Sequence, residues 1–193
     1  VQPFIGIHVG LDLLPTWMPE GNSLLFNRLS RIDGTWVNTI HRIDADGSGE
    51  EPLGVLPVQS ISHALDIAPD GKVYFSEATV RYEMYDWMVD ALEGRGNGRI
   101  ICYDPKTNSS RTVLPDLQLP NGICVERSGQ SLLYAETWGC RITRWYFDGP
   151  NKGRREVVID NLPGYPDNIN RASDGTYWCA IMGMRSPALD VAL

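Results

Sequence analysis

SHALDIAPDGKVYFSEAT (62–79), PNGICVERSGQSLLYAET (120–137) and PDNINRASDGTYWCAIM (166–182) share one plan. Each has a polar residue in its leading loop, a short strand, a turn built on glycine, and a second strand carrying aromatic residues. With the turn glycines Gly71, Gly129 and Gly175 aligned, the residue eight positions earlier is His63, Asn121 or Asp167, polar every time. A weaker fourth copy is anchored on Gly21, where GNSLLF echoes GQSLLY, and Asp12 precedes that glycine by nine positions. Successive glycines are 50, 58 and 46 residues apart.

Between the copies runs a second strand pair, read from TIHRIDADG (39–47), RIICYDPKT (99–107) and RITRWYFDG (141–149), with return strands near 52–56, 111–114 and 156–159. Asp-Gly and Asp-Pro turns between β-branched and aromatic runs are hairpin chemistry. Four strands per unit, at roughly 40–50 residues per unit, is the pattern of a β-propeller blade. A β-sandwich of short strands is the competing all-β reading, but the repeat includes the leading loop as well as the strands, which favours the propeller. The 193 residues hold about four blades' worth of this repeat. In a ring of more blades than these, strand edges are left exposed, and self-association through those edges is expected.

The formal charge of −7, with lysines and arginines scattered along the chain, argues against a nucleic-acid partner. No apolar run reaches the ~18 residues of a membrane span. Cys102, Cys124, Cys140 and Cys179 form no CxxC pair and no zinc-type spacing with histidine, so they are read as buried free thiols.

In a propeller the innermost strand of each blade lines a central channel, and the loop entering it opens at one end. The repeat therefore aims His63, Asn121 and Asp167 at one point. The second strand of each unit returns to that end and brings Glu77 and Glu136 with it, either as acids or water-positioning groups or as exposed strand ends. Residues 80–98 break the strand pattern. Tyr85, Met88, Val89 and Leu92 follow i, i+3, i+4, i+7 spacing, the apolar face of a short helix within 80–96 that emerges at the same mouth as a candidate lid. Tyr82, Tyr85 and Trp87 either line a substrate pocket or pack this insert onto the propeller.

From about residue 60 to 181 the chain resembles the strictosidine synthase-like family of six-bladed propellers, relatives of gluconolactonases and paraoxonase-type lactonases. The resemblance rests on LDIAPDGKVYFSEAT, ALEGRGNGRIICYDP, LPNGI, AETWGCRITRWYFDGP and above all NLPGYPDNI. It implies a calcium ion at the channel mouth, with Asn121, Asp167 and Asn168 matching the family's metal positions. Amide and carboxylate oxygens suit a hard cation that takes six to eight oxygen ligands. It also implies a small-molecule substrate such as a lactone or ester, its carbonyl polarised by the ion. His63-Ala64 stands where many hydrolytic relatives carry Asn-Asp, which weakens or alters the site. His63 is thus a general base, a metal ligand or a channel filler, and Glu136 is a second candidate catalytic residue. Asp12, one position off register, is a further candidate ligand. Two other readings remain open: a non-catalytic binding or membrane-tethered propeller with a structural metal, and an enzyme condensing an amine with an aldehyde.

Overall fold

The glycine of each copy sits where the chain turns through a left-handed conformation. Gly21, Gly71, Gly129 and Gly175 have φ of +74°, +86°, +65° and +91°. Each donates its amide N–H to the carbonyl three residues back, at 2.8–3.1 Å. Side chains with a Cβ are strained at such φ, which explains the recurrence of glycine. The computed structural model describes residues 11–18, 20–32, 35–56, 62–82 and 86–190, with backbone alone for 11–14, 62, 63 and 188.

These turns join strands into antiparallel meanders, and the chain divides into two units, Val1–Pro57 and Val58–Leu193. In the first unit β1 (Leu11–Trp17), β2 (Ser23–Ile32), β3 (Thr35–Asp44) and β4 (Glu51–Leu56) pair in chain order. Leu25 and Ile40 are its most deeply buried apolar side chains. The second unit holds two such sheets. One contains β5 (Ser62–Ile67), β6 (Val73–Glu77), β7 (Gly98–Asp104) and β8 (Ser109–Leu117); the other contains β9 (Pro120–Val125), β10 (Ser131–Glu136), β11 (Arg141–Tyr146) and β12 (Arg155–Ile159). A two-stranded sheet of β13 (Gly164–Arg171) and β14 (Tyr177–Met184) follows. The short helices are α1 (Trp87–Glu93), between β6 and β7, and α2 (Pro187–Asp190). Sheets that each run out and back through four neighbouring strands are propeller blades, as the repeat predicts.

Every residue of β6, β9 and β10 is buried, so these strands are covered on both faces. Phe75 and Leu132 are wholly enclosed, each contributing on the order of 1.5–3 kcal/mol by leaving water. Tyr74 of β6 meets Trp145 edge-on at 6.1 Å and stacks on Phe147 at 4.8 Å, joining one blade to the next. The first strands of successive blades also lock together through Val125 of β9. Its N–H donates to Asp66 Oδ2 of β5 at 2.7 Å, and its carbonyl accepts from Arg171 Nη1 of β13 at 3.0 Å. Burial pushes the Asp66 carboxyl above its ordinary range, opposed by the Val125 and Ile67 amides and the Arg171 charge.

Two expectations are corrected. Helix α1 forms, but Met88, Val89 and Leu92 lie on its exposed side, and Asp90 and Ala91 are the buried residues; Tyr85 lies outside the described residues. Glu77 and Glu136 are not exposed strand ends, since both are buried against arginines. The four cysteines are free thiols, three of them buried and Cys179 partly so. Strand β14 turns Trp178 and Met184 outward, at 72% and 70% exposure. Among the described residues, no helix is long and apolar enough to cross a membrane.

Candidate functional site

The first strands β5, β9 and β13 are bulged at the positions the repeat singles out. Ser62 pairs with Glu77 and Leu65 with Phe75, so His63 and Ala64 face one residue of β6. Pro120 pairs with Glu136 and Ile123 with Tyr134, leaving Asn121 and Gly122 opposite one residue of β10. In β13 the ladder holds at Pro166 and resumes at Ile169, skipping Asp167 and Asn168. Bulges bend a strand and re-aim its side chains, and they recur beside functional sites. The bulge of β1 falls between Leu13 and Thr16, so Asp12 lies in the regular ladder opposite Arg28. The side chains of Asp12 and His63 lie outside the described residues.

Asn121 and Asp167-Asn168 are brought side by side. A Cβ on Gly122 would stand 2.4 Å from Ile169 N and 2.5 Å from Asp167 O, so only glycine lets the two backbones approach this closely. Asn121 is 4% exposed, and its buried Oδ1 has no hydrogen-bond partner. Such an orphaned acceptor costs about 1–3 kcal/mol unless something donates to it or coordinates it. Asp167 and Asn168 are half-buried. Among the described residues, no group of three or more His, Cys, Asp or Glu side chains is placed to hold a metal. The donor set here is two amides and one carboxylate.

Glu136 accepts four hydrogen bonds from three residues. Arg141 donates to it twice, from Nε at 2.7 Å and Nη2 at 2.9 Å. Thr143 Oγ1 and the Gln118 N–H donate at 3.3 and 3.2 Å. The carboxylate holds the Arg141 guanidinium pKa above its usual value. Glu77 is fully buried and pairs with Arg99 Nε of the adjacent strand. The two glutamates thus occupy equivalent places, each at the end of the second strand of its blade and opposite the arginine in register with it.

Trp87 of α1 stacks on Trp138 with centroids 5.5 Å apart and planes 6° from parallel, and Trp138 meets Tyr165 edge-on at 5.6 Å. The cluster of Trp138, Tyr165, Leu119, Ala78, Ala91 and Cys140 borders the site along the chain, because Leu119 and Tyr165 each precede a candidate ligand by two residues. Trp87 therefore anchors the insert while keeping 40% of its surface exposed. Tyr82 is tied to α1 instead, its hydroxyl pKa raised by burial and then by the hydrogen bond to Glu93. Sequence reading missed Thr137, Trp138 and Tyr165. The signal available for them was their position, directly after Glu136 and directly before PDN.

Residues 63–150 match the family model described as strictosidine synthase. The chain is 39% identical over 127 residues to Protein strictosidine synthase-like 13 of Arabidopsis thaliana, covering 66% of this chain and 31% of that protein. It is 41% identical over 122 residues to the adipocyte plasma membrane-associated protein of Danio rerio, covering 63% and 29%. The matched part thus spans about a third of these relatives' length. Two solved structures share the fold. A calcium-binding regucalcin from Agrobacterium tumefaciens aligns with a TM-score of 0.58 at 16% identity, over 89% of this chain and 67% of that one. A gluconolactonase from Xanthomonas campestris aligns at 0.54 and 17%, over 89% and 70%. The fold is that of a partial β-propeller, and its sequence is strictosidine synthase-like, as the quoted motifs imply.

Proposed function

We propose that the bulged inner strands hold a calcium ion through Asn121, Asp167 and Asn168, and that the protein is a hydrolase of small lactones or esters. The buried, unpartnered Oδ1 of Asn121 carries this reading, because a hard cation suits an orphaned amide oxygen whose strand packs closely against the Asp167-Asn168 segment. The likeness in fold to a calcium-binding protein and to a gluconolactonase supports it. Once bound, the ion would supply Lewis-acid polarisation of a carbonyl. The other tasks fall to the chain's own residues. Asp167 brings the negative charge, and the bulges turn the ligand side chains away from the ladder. The Trp87, Trp138 and Tyr165 cluster offers an apolar wall to the substrate. His63, at the equivalent bulge of β5, is the base in this reading. Glu136 is reassigned from proton transfer to support, because both of its oxygens are engaged by Arg141, Thr143 and Gln118. Glu77, fully buried against Arg99, is likewise support rather than pocket wall.

A second reading, a non-catalytic propeller with a structural ion, draws on the engagement of both glutamates and on Ala64 in place of a carboxylate. A panel of lactones and aryl esters, assayed with and without chelator, separates the two. Hydrolysis that chelator abolishes and calcium restores is expected of the enzyme. Calcium binding with no chelator-sensitive turnover would leave the binding propeller.

A further inference from the structure

Asp167 and Asn168 fall in the gap of the β13–β14 ladder, and Asn121 falls in the bulge of β9, so sheet pairing does not fix either ligand segment. Thr137 touches both. It follows β10 directly and has no solvent exposure. Its Oγ1 donates to the Pro166 carbonyl at 2.8 Å, one residue before Asp167. Its N–H donates to the Leu119 carbonyl at 3.1 Å, two residues before Asn121. The preceding blade has Ala78 at the position after its buried glutamate, and alanine has no hydroxyl to reach a neighbouring strand.

We infer that Thr137 is a positioning residue that sets the distance between Asn121 and Asp167-Asn168, a role that rests on the cation site proposed above. The hydroxyl ties one ligand segment to the other across the seam between sheets, where a buried hydrogen bond has no water to replace it. Removing it leaves the ligands present and displaces one set relative to the other.

The test compares the full chain with Thr137→Val, Thr137→Ser and, as a control for general destabilisation, Ile142→Val in the same sheet. Two readouts are taken: calcium affinity by titration calorimetry, and hydrogen–deuterium exchange of peptides spanning 164–170. Thr137→Val is expected to weaken calcium binding by about tenfold, the equivalent of one lost buried hydrogen bond, and to speed exchange over 164–170. Thr137→Ser, which keeps the hydroxyl, is expected to restore both, and Ile142→Val to move neither selectively. Exchange and affinity like the parent's in Thr137→Val would overturn the assignment, as would equal losses in the Ile142→Val control. If the parent binds no calcium, the metal reading falls by itself. Localised exchange in Thr137→Val would then still support the tether, and its absence would overturn it.

Discussion

In the β5–β8 sheet, Glu77 closes β6 and pairs with Arg99; in the β9–β12 sheet, Glu136 closes β10 and pairs with Arg141. One strand inward the two sheets part company. The bulge of β5 carries His63-Ala64, while that of β9 carries Asn121-Gly122. The residue after the glutamate differs as well, Ala78 in one and Thr137 in the other. The blade frame is thus repeated with its ion pair intact, while the residues that would contact a ligand vary from blade to blade.

The largest expected effect breaks the comparison. Each glutamate is buried against an arginine that keeps 27–36% of its side chain exposed, so the charge left behind is partly solvated, and Glu77→Ala and Glu136→Ala should each lose about 1–2 kcal/mol in denaturant unfolding through the lost hydrogen bonds. Glu136 also holds the Gln118 amide at the entry to Asn121. Glu136→Ala should therefore weaken the response to calcium, and Glu77→Ala should leave it intact. Equal loss of that response in both variants would mean the two blades do not divide the labour.

A smaller effect probes the seam between the same sheets, where Asp66 of β5 accepts from Val125 of β9. The Asp66 pKa is raised in the folded state, chiefly by burial. Below the ordinary carboxylate value of about 4, the group is protonated folded and unfolded alike, and folding suffers no penalty. As pH rises the unfolded chain ionises first, so stability falls until pH passes the folded value. Unfolding midpoints measured upward from pH 4 should decline more in the parent than in Asp66→Asn. Parallel curves would remove Asp66 as the source.

The frame was legible in the sequence because its devices are local. A positive φ in a tight turn calls for glycine at Gly71, Gly129 and Gly175, and hairpin chemistry marks the strands between them. The ligand candidates were legible as polar residues in shared register. Their supports were not, because each depends on a partner that register alone reveals. Glu77 meets an arginine 22 residues away, and the Thr137 hydroxyl meets a carbonyl 29 residues away. Helix α1 misled for another reason. Over only seven residues, periodicity marks an apolar stripe without fixing which side the flanking strands present to the core, and here the buried side carries Asp90. Asp90 Oδ1 accepts from Asn97 at 3.1 Å, a partner that lies beyond the helix.

The central claim is that Asn121, Asp167 and Asn168 form one cation site, and thermal unfolding of the parent and Asp167→Ala with and without calcium tests it most directly. A ligand bound by the native state alone adds about 2.7 kcal/mol of stability at a hundredfold excess over its dissociation constant. The parent is predicted to gain several degrees in Tm on adding calcium, and Asp167→Ala to gain little. No shift in the parent, or an equal shift in both proteins, would contradict the account.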